Sequence, residues 1–499
     1  MKLIIKNLGP IKNNTQAIDL SKDFFVFVGR NNSGKSYVAQ LLWAIFNQDI
    51  INKFALENLE IIDNEIVENV NKVEVTPELI GKILSRYSNF LQEETKKEIF
   101  NTGKEATIFN FNKIAINFDY EISELKDEKI ETTVYIKKDE EENSLEYIEI
   151  KKDQGDLIYS FEEKDLPDSF QEIFPKRFLD RNLLNQKKSI LIDIIIKTML
   201  KHKHETFFLP ASRIFFPNFY LYIIDFERKK REQDIKKLVD LLERPRSRTK
   251  EKIKLAELEE LDVFQRPYTK PINQVIQKLL EMYDANIEDH YLHLSEQLQE
   301  ILGGEIKIIR REGIGAAEFY FQISSVDELL PMYLASSSVN QLTLLDTYFK
   351  YWAEEKNNFL MIDEPEVNLH PENQIKLLNI LIQFIQNETR NKVLITTHSS
   401  ILANAINNYI YLDVLKNQHG VNVEKIIEDN KLYYVDSSVS IAKEKVGVYF
   451  FTGDKIIDYE SGDYGIYFRN FREVENNLDK SLRILTDYIY VQEEEGDDE

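Results

Sequence analysis

The alternation of apolar and polar positions predicts the first elements of the chain. The segment from Lys2 to Leu20 reads as two short strands joined by a Gly-Pro turn. The next segment, DFFVFVGRNNSGKSYVAQLLWAIF, joins a continuous apolar run, a glycine-containing loop and an apolar stretch of helical length. It therefore predicts a buried strand, a loop and a helix in direct succession.

The pattern changes over residues 49–205. Helical stretches come first, followed by three strand-like runs, TTVYIKKD, SLEYIEIKK and LIYSFEEK, which polar turns separate. These runs predict an antiparallel meander. We interpret the segment as an α+β insertion into a domain that begins with residues 1–48.

The second half of the chain returns to strands that alternate with helices. An apolar strand segment at 206–225 and a charged, mostly helical arm at 226–302 with a hairpin-like break precede residues 303–420. That last segment contains EIKIIRR, AEFYFQI, FLMID and KVLITTH with helical stretches. The alternation predicts an α/β fold with a largely parallel sheet and helices on both faces.

Residues 421–499 read as a C-terminal α/β extension. It contains two short strand-like runs, KLYYVD and KVGVYFF, and a final helical stretch. The chain ends in QEEEGDDE, an acidic run that we expect to be disordered.

Composition narrows the classes of function. The chain has 499 residues, a formal net charge of −23 and no cysteine. Such an acidic protein repels nucleic acid at long range, so any contact needs a local basic patch. Without cysteine there is no disulfide, no Cys-based zinc site and no thiol nucleophile. The beginning, MKLIIKNLGP, lacks the layout of a secretion signal, and no apolar stretch suits a membrane span, so we expect a cytoplasmic protein.

The strongest motif is GRNNSGKS, which has the form G-x-x-x-x-G-K-S between the predicted strand and helix. Its backbone N–H groups and the helix N-terminus can surround phosphates, with Lys35 on the β- and γ-phosphates and Ser36 on Mg²⁺. A glycine-rich turn of the same pattern would be the alternative. We assign to nucleotide binding Gly29, Asn31, Asn32, Ser33, Gly34, Lys35, Ser36 and Tyr37.

Two further apolar strands end in polar residues. FLMID ends in Asp363 and is followed by Glu364, and KVLITT is followed by His398. Since parallel strands share one carboxyl edge, these residues can meet there. Asp363 can orient Mg²⁺, Glu364 can polarise the attacking water, and His398 can contact the terminal phosphate. Alone, the acids could begin an ordinary helix and the histidine could be satisfied at a strand end.

In this order, the three motifs resemble those of the ABC-type ATPase family, which includes the SMC, RecF and OLD (overcoming lysogenization defect) branches. The resemblance covers residues 1–48, 206–225 and 301–415. It implies a P-loop NTPase head with a mostly parallel sheet plus an antiparallel lobe. It also implies ATP and Mg²⁺ as cofactors, ATP hydrolysis, and a homodimer or higher homo-oligomer that closes around ATP.

The resemblance implies a signature loop, which in the family covers the terminal phosphate of ATP bound by the opposite subunit. Ser336, Ser337 and Ser338 stand in that place, with a serine where the family usually has glycine. A serine-rich cap for the following helix is the alternative. The segment EVNLHP after Glu364 looks like the loop that lies across the dimer interface.

Another part of the resemblance concerns Arg213. The sequence LPASR, which ends at this residue, looks like the Pro-Ala-x-Arg element of OLD-like defence ATPases. The likeness implies that Arg213 contacts phosphate or switches between states. A surface arginine is an equally good interpretation.

Other charged and metal-binding patterns are weaker. Segment 228–254 is rich in lysine and arginine and could bind nucleic acid or an acidic partner, or form a solvated helical arm. The histidine pairs 202/204 and 290/293 offer too few ligands to predict a metal site.

The whole architecture looks like the ATPase components of the PARIS, Septu and retron defence systems. That likeness implies a sensor ATPase that controls a separate effector, often a nuclease. About 100 residues follow His398, so we expect no fused Toprim nuclease. A RecF/SMC-like DNA-repair ATPase is the main alternative. A phosphotransferase is a third, against which Asp-Glu-Pro, the serine loop and His398 argue.

Overall fold

A computed structural model of the protein gives the fold and most of the side-chain contacts. It describes residues 1–63, 72–100, 113–137, 145–165, 183–201, 204–219, 268–311, 316–386, 389–459, 462 and 465–496, with isolated residues between 222 and 236. Most of the basic segment 228–254, with His202, lies outside these residues. No described helix combines the length and apolar character needed to cross a membrane.

The elements follow the predicted alternation closely. The strands are β1 (Lys2–Lys6), β2 (Ile18–Asp19), β3 (Phe24–Gly29), β4 (Lys72–Glu74), β5 (Ala115–Asp119), β6 (Ile130–Lys137), β7 (Leu145–Lys152), β8 (Ile158–Asp165), β9 (Glu205–Leu209), β10 (Gly304–Arg311), β11 (Ala316–Ile323), β12 (Leu329–Pro331), β13 (Asn358–Asp363), β14 (Lys392–Thr397), β15 (Val446–Phe451) and β16 (Ile456–Asp458). The helices are α1 (Lys35–Phe46), α2 (Gln48–Glu57), α3 (Pro77–Glu94), α4 (Ser123–Lys126), α5 (Leu183–Met199), α6 (Lys270–Leu280), α7 (Leu292–Leu302), α8 (Ser337–Thr347), α9 (Pro371–Ile385), α10 (Ser400–Asp413), α11 (Val423–Asn430) and α12 (Arg469–Gly496).

The central sheet has the strand order β16-β15-β3-β14-β13-β9. Its pairs are parallel except for β15 with β16. Because parallel strands end at one edge, β3, β13 and β14 deliver their following residues to the same place. The structure confirms the predicted α/β fold with a mostly parallel sheet.

Both faces of this sheet are buried, which explains its continuous apolar strands. In β3, Phe25 and Phe27 enter one hydrophobic cluster, and Val26 and Val28 enter the other. Successive side chains of a strand point to opposite faces, so one strand serves both cores. The sheet is thereby fixed between two helical layers.

The segment 49–205 shares the first of these cores. Its strand β5 pairs antiparallel with β1 in the sheet β2-β1-β5. The predicted meander is present as β8-β7-β6, extended by β4 into an antiparallel sheet. Apolar residues of α2, α3 and α5 join those of α1 in one cluster. The segment therefore packs directly against the phosphate-loop helix.

Three sequence expectations require correction. EIKIIRR and AEFYFQI form β10 and β11, but these pair antiparallel in a separate sheet with β12, since no helix separates them. KLYYVD is not a strand: Lys431 has a φ of 52° and ends α11, and Leu432 N donates to Ile427 O at 3.0 Å. Of the acidic end, residues 492–496 continue α12 as helix, because glutamate favours helices, and the last three residues lie outside the described ones.

Candidate functional site

The phosphate loop connects β3 to α1 and requires small residues. Gly34 precedes α1 with a φ of 99°, a left-handed conformation that glycine adopts without strain. A Cβ atom at Gly29 would lie 2.4 Å from the carbonyl oxygen of Phe451 in β15. The buried Ser33 hydroxyl has no hydrogen-bond partner within the described structure. A loop with an unsatisfied hydroxyl and a helix N-terminus suits an anion.

Lys35 occupies the centre of the loop. Its Nζ donates to the carbonyl oxygens of Gly29 (3.1 Å) and Arg30 (3.0 Å) and lies 3.0 Å from Nε2 of His398. Burial lowers the pKa of Lys35, although neighbouring carboxylates act in the opposite direction. The ammonium group is thus held by neutral oxygens that a phosphate could replace.

Ser36 and Asp363 meet although 327 positions separate them in sequence. The Ser36 hydroxyl donates to Oδ1 of Asp363 at 2.9 Å, and the Thr396 hydroxyl donates to the same oxygen. Hydroxyl and carboxylate oxygens are the ligands that Mg²⁺ prefers, and it usually keeps several waters. The two residues predicted as metal ligands therefore fit this ion.

Glu364 and His398 lie together beside the loop. Glu364 Oε1 lies 3.4 Å from His398 Nε2. Glu364 has a φ of 50°, and its N–H donates to both the carbonyl and hydroxyl oxygens of Thr396, each at 3.1 Å. A left-handed glutamate costs roughly 1 kcal/mol, and such strain is typical of functional positions. The turn holds this carboxylate next to the histidine.

Glu366 binds the backbone at His398 through its carboxylate. Its Oε1 accepts hydrogen bonds from the Thr397 hydroxyl and the His398 N–H, both at 2.7 Å. The side chain is buried, and within the described residues its Oε2 has no partner. Sequence reasoning placed this glutamate only in a loop between subunits. In the sequence, an acid two positions after Glu364 gave no signal of this contact.

Arg213 is buried, which corrects the interpretation of a surface arginine. It is 0% exposed, so it is not a surface arginine. Its guanidinium faces backbone oxygens rather than the phosphate loop. It donates to the carbonyl oxygens of Gln341 (3.0 Å), Pro210 (3.1 Å), Asp363 (2.6 Å) and Glu364 (3.1 Å). The arginine therefore positions the end of β13 in this conformation, and its predicted role at phosphate or as a switch stays a prediction.

The serine loop caps α8. The Ser336 hydroxyl accepts from Val339 N at 3.3 Å and lies 2.8 Å from the Ser338 hydroxyl. Ser336 and Ser337 are exposed. The structure confirms that Ser336 caps the helix. The exposed serines and the helix N-terminus stay accessible to solvent, and their role at a phosphate stays a prediction.

The remaining predicted residues divide into two groups. Asn31 and Asn32 are exposed on the loop. Tyr37 packs inward, with its ring 5.5 Å from that of Phe100. Among the residues that the structure describes, which do not include His202, no cluster of three metal-ligating side chains occurs. His204 is buried, with Nε2 3.2 Å from the Lys201 carbonyl oxygen.

The pKa of His398 predicts a pH effect. Burial and the charge of Lys35 lower it from the ordinary value of 6.5. The folded protein then binds a proton at His398 less readily than the unfolded chain does. The folded state therefore keeps its full stability above about pH 6.5 and loses stability as pH falls below it, because the unfolded chain is protonated first. We expect the melting temperature of the nucleotide-free protein to fall more steeply than that of His398→Gln between about pH 7 and 5.5. The exposed His293→Gln should behave like wild type, and equal slopes for His398→Gln would contradict the assignment.

Comparisons with known proteins identify the family of the chain. A family model described as "AAA ATPase domain" matches residues 1–403. No curated protein matches the chain. Three solved structures are similar at low TM-scores. One is the SmcHead bound to the C-winged helix domain of ScpA, with 12% identity, coverage of 81% of this chain and 91% of that chain, and a TM-score of 0.30. Another is the Pyrococcus furiosus Smc head domain with an extended coiled coil bound to the C-terminal domain of ScpA, with 12% identity, coverage of 97% and 98%, and a TM-score of 0.31. The third is the SMC head domain from Thermotoga maritima, with 10% identity, coverage of 92% and 98%, and a TM-score of 0.27.

Proposed function

The chain belongs to the AAA ATPase domain family, and on that premise we propose that it binds ATP with Mg²⁺ and hydrolyses ATP to ADP and phosphate. One observation carries the proposal. Lys35 lies 3.0 Å from His398, while the adjacent Ser36 lies 2.9 Å from Asp363. Three distant segments thus bring an ammonium group, a hydroxyl–carboxylate pair and a histidine close together, and this arrangement supports the proposal.

Each side chain has a defined task in this mechanism. Lys35 exchanges its loop carbonyls for phosphate oxygens, and Ser36 and Asp363 hold Mg²⁺, which supplies charge neutralisation when bound. Glu364 accepts a proton from the attacking water. The water oxygen forms a bond to the γ-phosphorus as the bond to the bridging oxygen breaks, which releases ADP. His398 lies where it can contact the transferred phosphoryl group.

We propose that two chains share this chemistry, with the Ser336–Ser338 loop of one chain covering ATP on the other. Apolar side chains beside the loop support an interface. Tyr333 is 74% exposed and Leu334 is 61% exposed, and only Ala335 separates them from the serines. The exposed rings of Phe215 and Phe219 contact each other on the segment after Arg213. Contiguous exposed apolar groups of this kind mark interaction sites.

The biological role that we propose is a defence ATPase whose closure controls a separate effector. The motif order and the Pro-Ala-Ser-Arg element support it by resemblance. The same site would also serve a RecF/SMC-like DNA-repair ATPase. The two differ in whether residues 228–254 bind DNA, so binding that weakens steeply with salt would favour the repair role.

Lys35→Ala tests the nucleotide site. We expect binding of an ATP analogue to weaken about 100-fold, because a charge-assisted contact to phosphate is lost. Isothermal titration measures the affinity, and the exposed Lys12→Ala is the matched control. Folding should be retained, since the substitution removes a desolvated charge. An unchanged affinity would overturn the proposed site.

A further inference from the structure

The final helix, α12, carries apolar side chains that nothing in the described structure covers. The helix has 28 residues and is about 42 Å long. Every residue from Arg472 to Tyr488 is exposed. Its large apolar side chains are between 44% and 69% exposed, and they are Val474, Leu478, Leu482, Ile484, Leu485 and Tyr488.

These side chains form one stripe along the helix. At 100° per residue, Val474, Leu478, Leu482 and Leu485 fall within about 80° of each other. Asn476 and Arg483 lie on the opposite side. A polar helix with one apolar stripe is stable when a second surface covers the stripe.

The stripe is nearly symmetric about the middle of the exposed stretch. Residues 472–488 have Lys480 at their midpoint. Leu478 and Leu482 lie two positions to either side, and Val474 and Leu485 lie six and five positions away. A second α12 that runs in the opposite direction therefore presents apolar side chains at matching levels. Such pairing is isologous and uses one patch twice.

The charges along α12 also favour an antiparallel arrangement of the two helices. Residues 472–479 carry one arginine against three acids, and residues 480–488 carry two basic residues against one acid. Antiparallel pairing places each acidic half beside a basic half, whereas parallel pairing places like halves together. It also aligns the two helix dipoles favourably.

We infer that α12 pairs with α12 of a second copy of this chain as an antiparallel coiled coil, without nucleotide. The paired stripes would remove on the order of 1,000 Å² from water, which is enough for a specific interface. The pairing does not depend on ATP-driven closure of the heads. It would keep two heads near each other and so raise their effective concentration.

Cysteine crosslinking tests the pairing and its direction, because the native chain has no cysteine. In the full chain without nucleotide, Val474→Cys/Leu485→Cys should give a covalent dimer under mild oxidation. Either single variant should not, since its two copies would lie about 15–18 Å apart along the axis, beyond disulfide reach. Asn476→Cys/Arg483→Cys, which would also lie at matching levels in the antiparallel pair but on the opposite face, should fail to crosslink as well.

Mass measurement gives an independent readout. We expect the nucleotide-free protein to be dimeric at micromolar concentration, and Leu478→Asp to weaken this dimer at least tenfold. Asn476→Asp adds the same charge on the opposite face and should leave it unchanged. Efficient crosslinking of Val474→Cys alone would show parallel pairing and overturn the inference. A monomeric wild-type chain with no crosslink in any variant would overturn it as well.

Discussion

Glu364→Gln should lower steady-state ATP hydrolysis about 100- to 1,000-fold, the contribution typical of a general base. The amide keeps the size of the side chain and its place beside His398 but does not accept the proton from water. Nucleotide binding depends on Lys35 and the loop, so it should persist. We therefore expect the variant to retain ATP and to accumulate in the closed dimer. Phosphate release measures hydrolysis. Sedimentation with ATP–Mg²⁺ measures closure of the heads, and it is done with Leu478→Asp also present so that pairing through α12 does not contribute.

Glu372→Gln is the matched control, because Glu372 lies in the first turn of α9 and pairs with Lys376 at the surface. It should hydrolyse ATP at the wild-type rate. Normal hydrolysis by Glu364→Gln would show that another group activates water. Loss of hydrolysis with a monomeric, ATP-loaded chain would keep Glu364 as the base and remove the trans role of Ser336–Ser338.

Local patterns predicted much of this fold because its central strands are buried on both faces. FFVFVG, FLMID and KVLITT are continuous apolar runs, and each became a strand of the central sheet. The loop GRNNSGKS and the polar residues after β13 and β14 could then be placed at one edge. Parallel topology brings these residues together, so their order along the chain was sufficient.

Contacts between distant segments could not be predicted in the same way. KVGVYFF was recognised as a strand, but its parallel pairing with β3 joins residues more than 400 positions apart. Nothing in its local pattern indicates that Phe451 lies against Gly29. The contact of Glu366 with His398 was not predictable either, because it also joins residues that follow different strands. KLYYVD failed for a different reason, since the left-handed Lys431 ends a helix without glycine.

Arg213 shows how such a distant contact can be central to the site. Burial lowers its pKa to about 10, so it stays charged at neutral pH. It holds the backbone of Asp363 and Glu364 on one side and the Gln341 carbonyl of α8 on the other. Helix α8 begins at the serine loop. The guanidinium therefore connects Asp363 and Glu364, the proposed metal ligand and base, to the element proposed to act on the opposite subunit.

We expect Arg213→Met to lower the free energy of unfolding by about 3–5 kcal/mol, because it leaves buried carbonyl oxygens and nearby carboxylates without their cation. Arg213→Lys should recover only part of this loss, since an ammonium group lacks the planar fork. Urea unfolding measures both, and the exposed Arg86→Met should change stability by less than about 0.5 kcal/mol. A loss below about 1 kcal/mol for Arg213→Met would mean that water satisfies these oxygens. In that case the arginine would not fix the geometry of the site. Asp363 would then depend on Ser36 and Thr396, and Glu364 on Thr396.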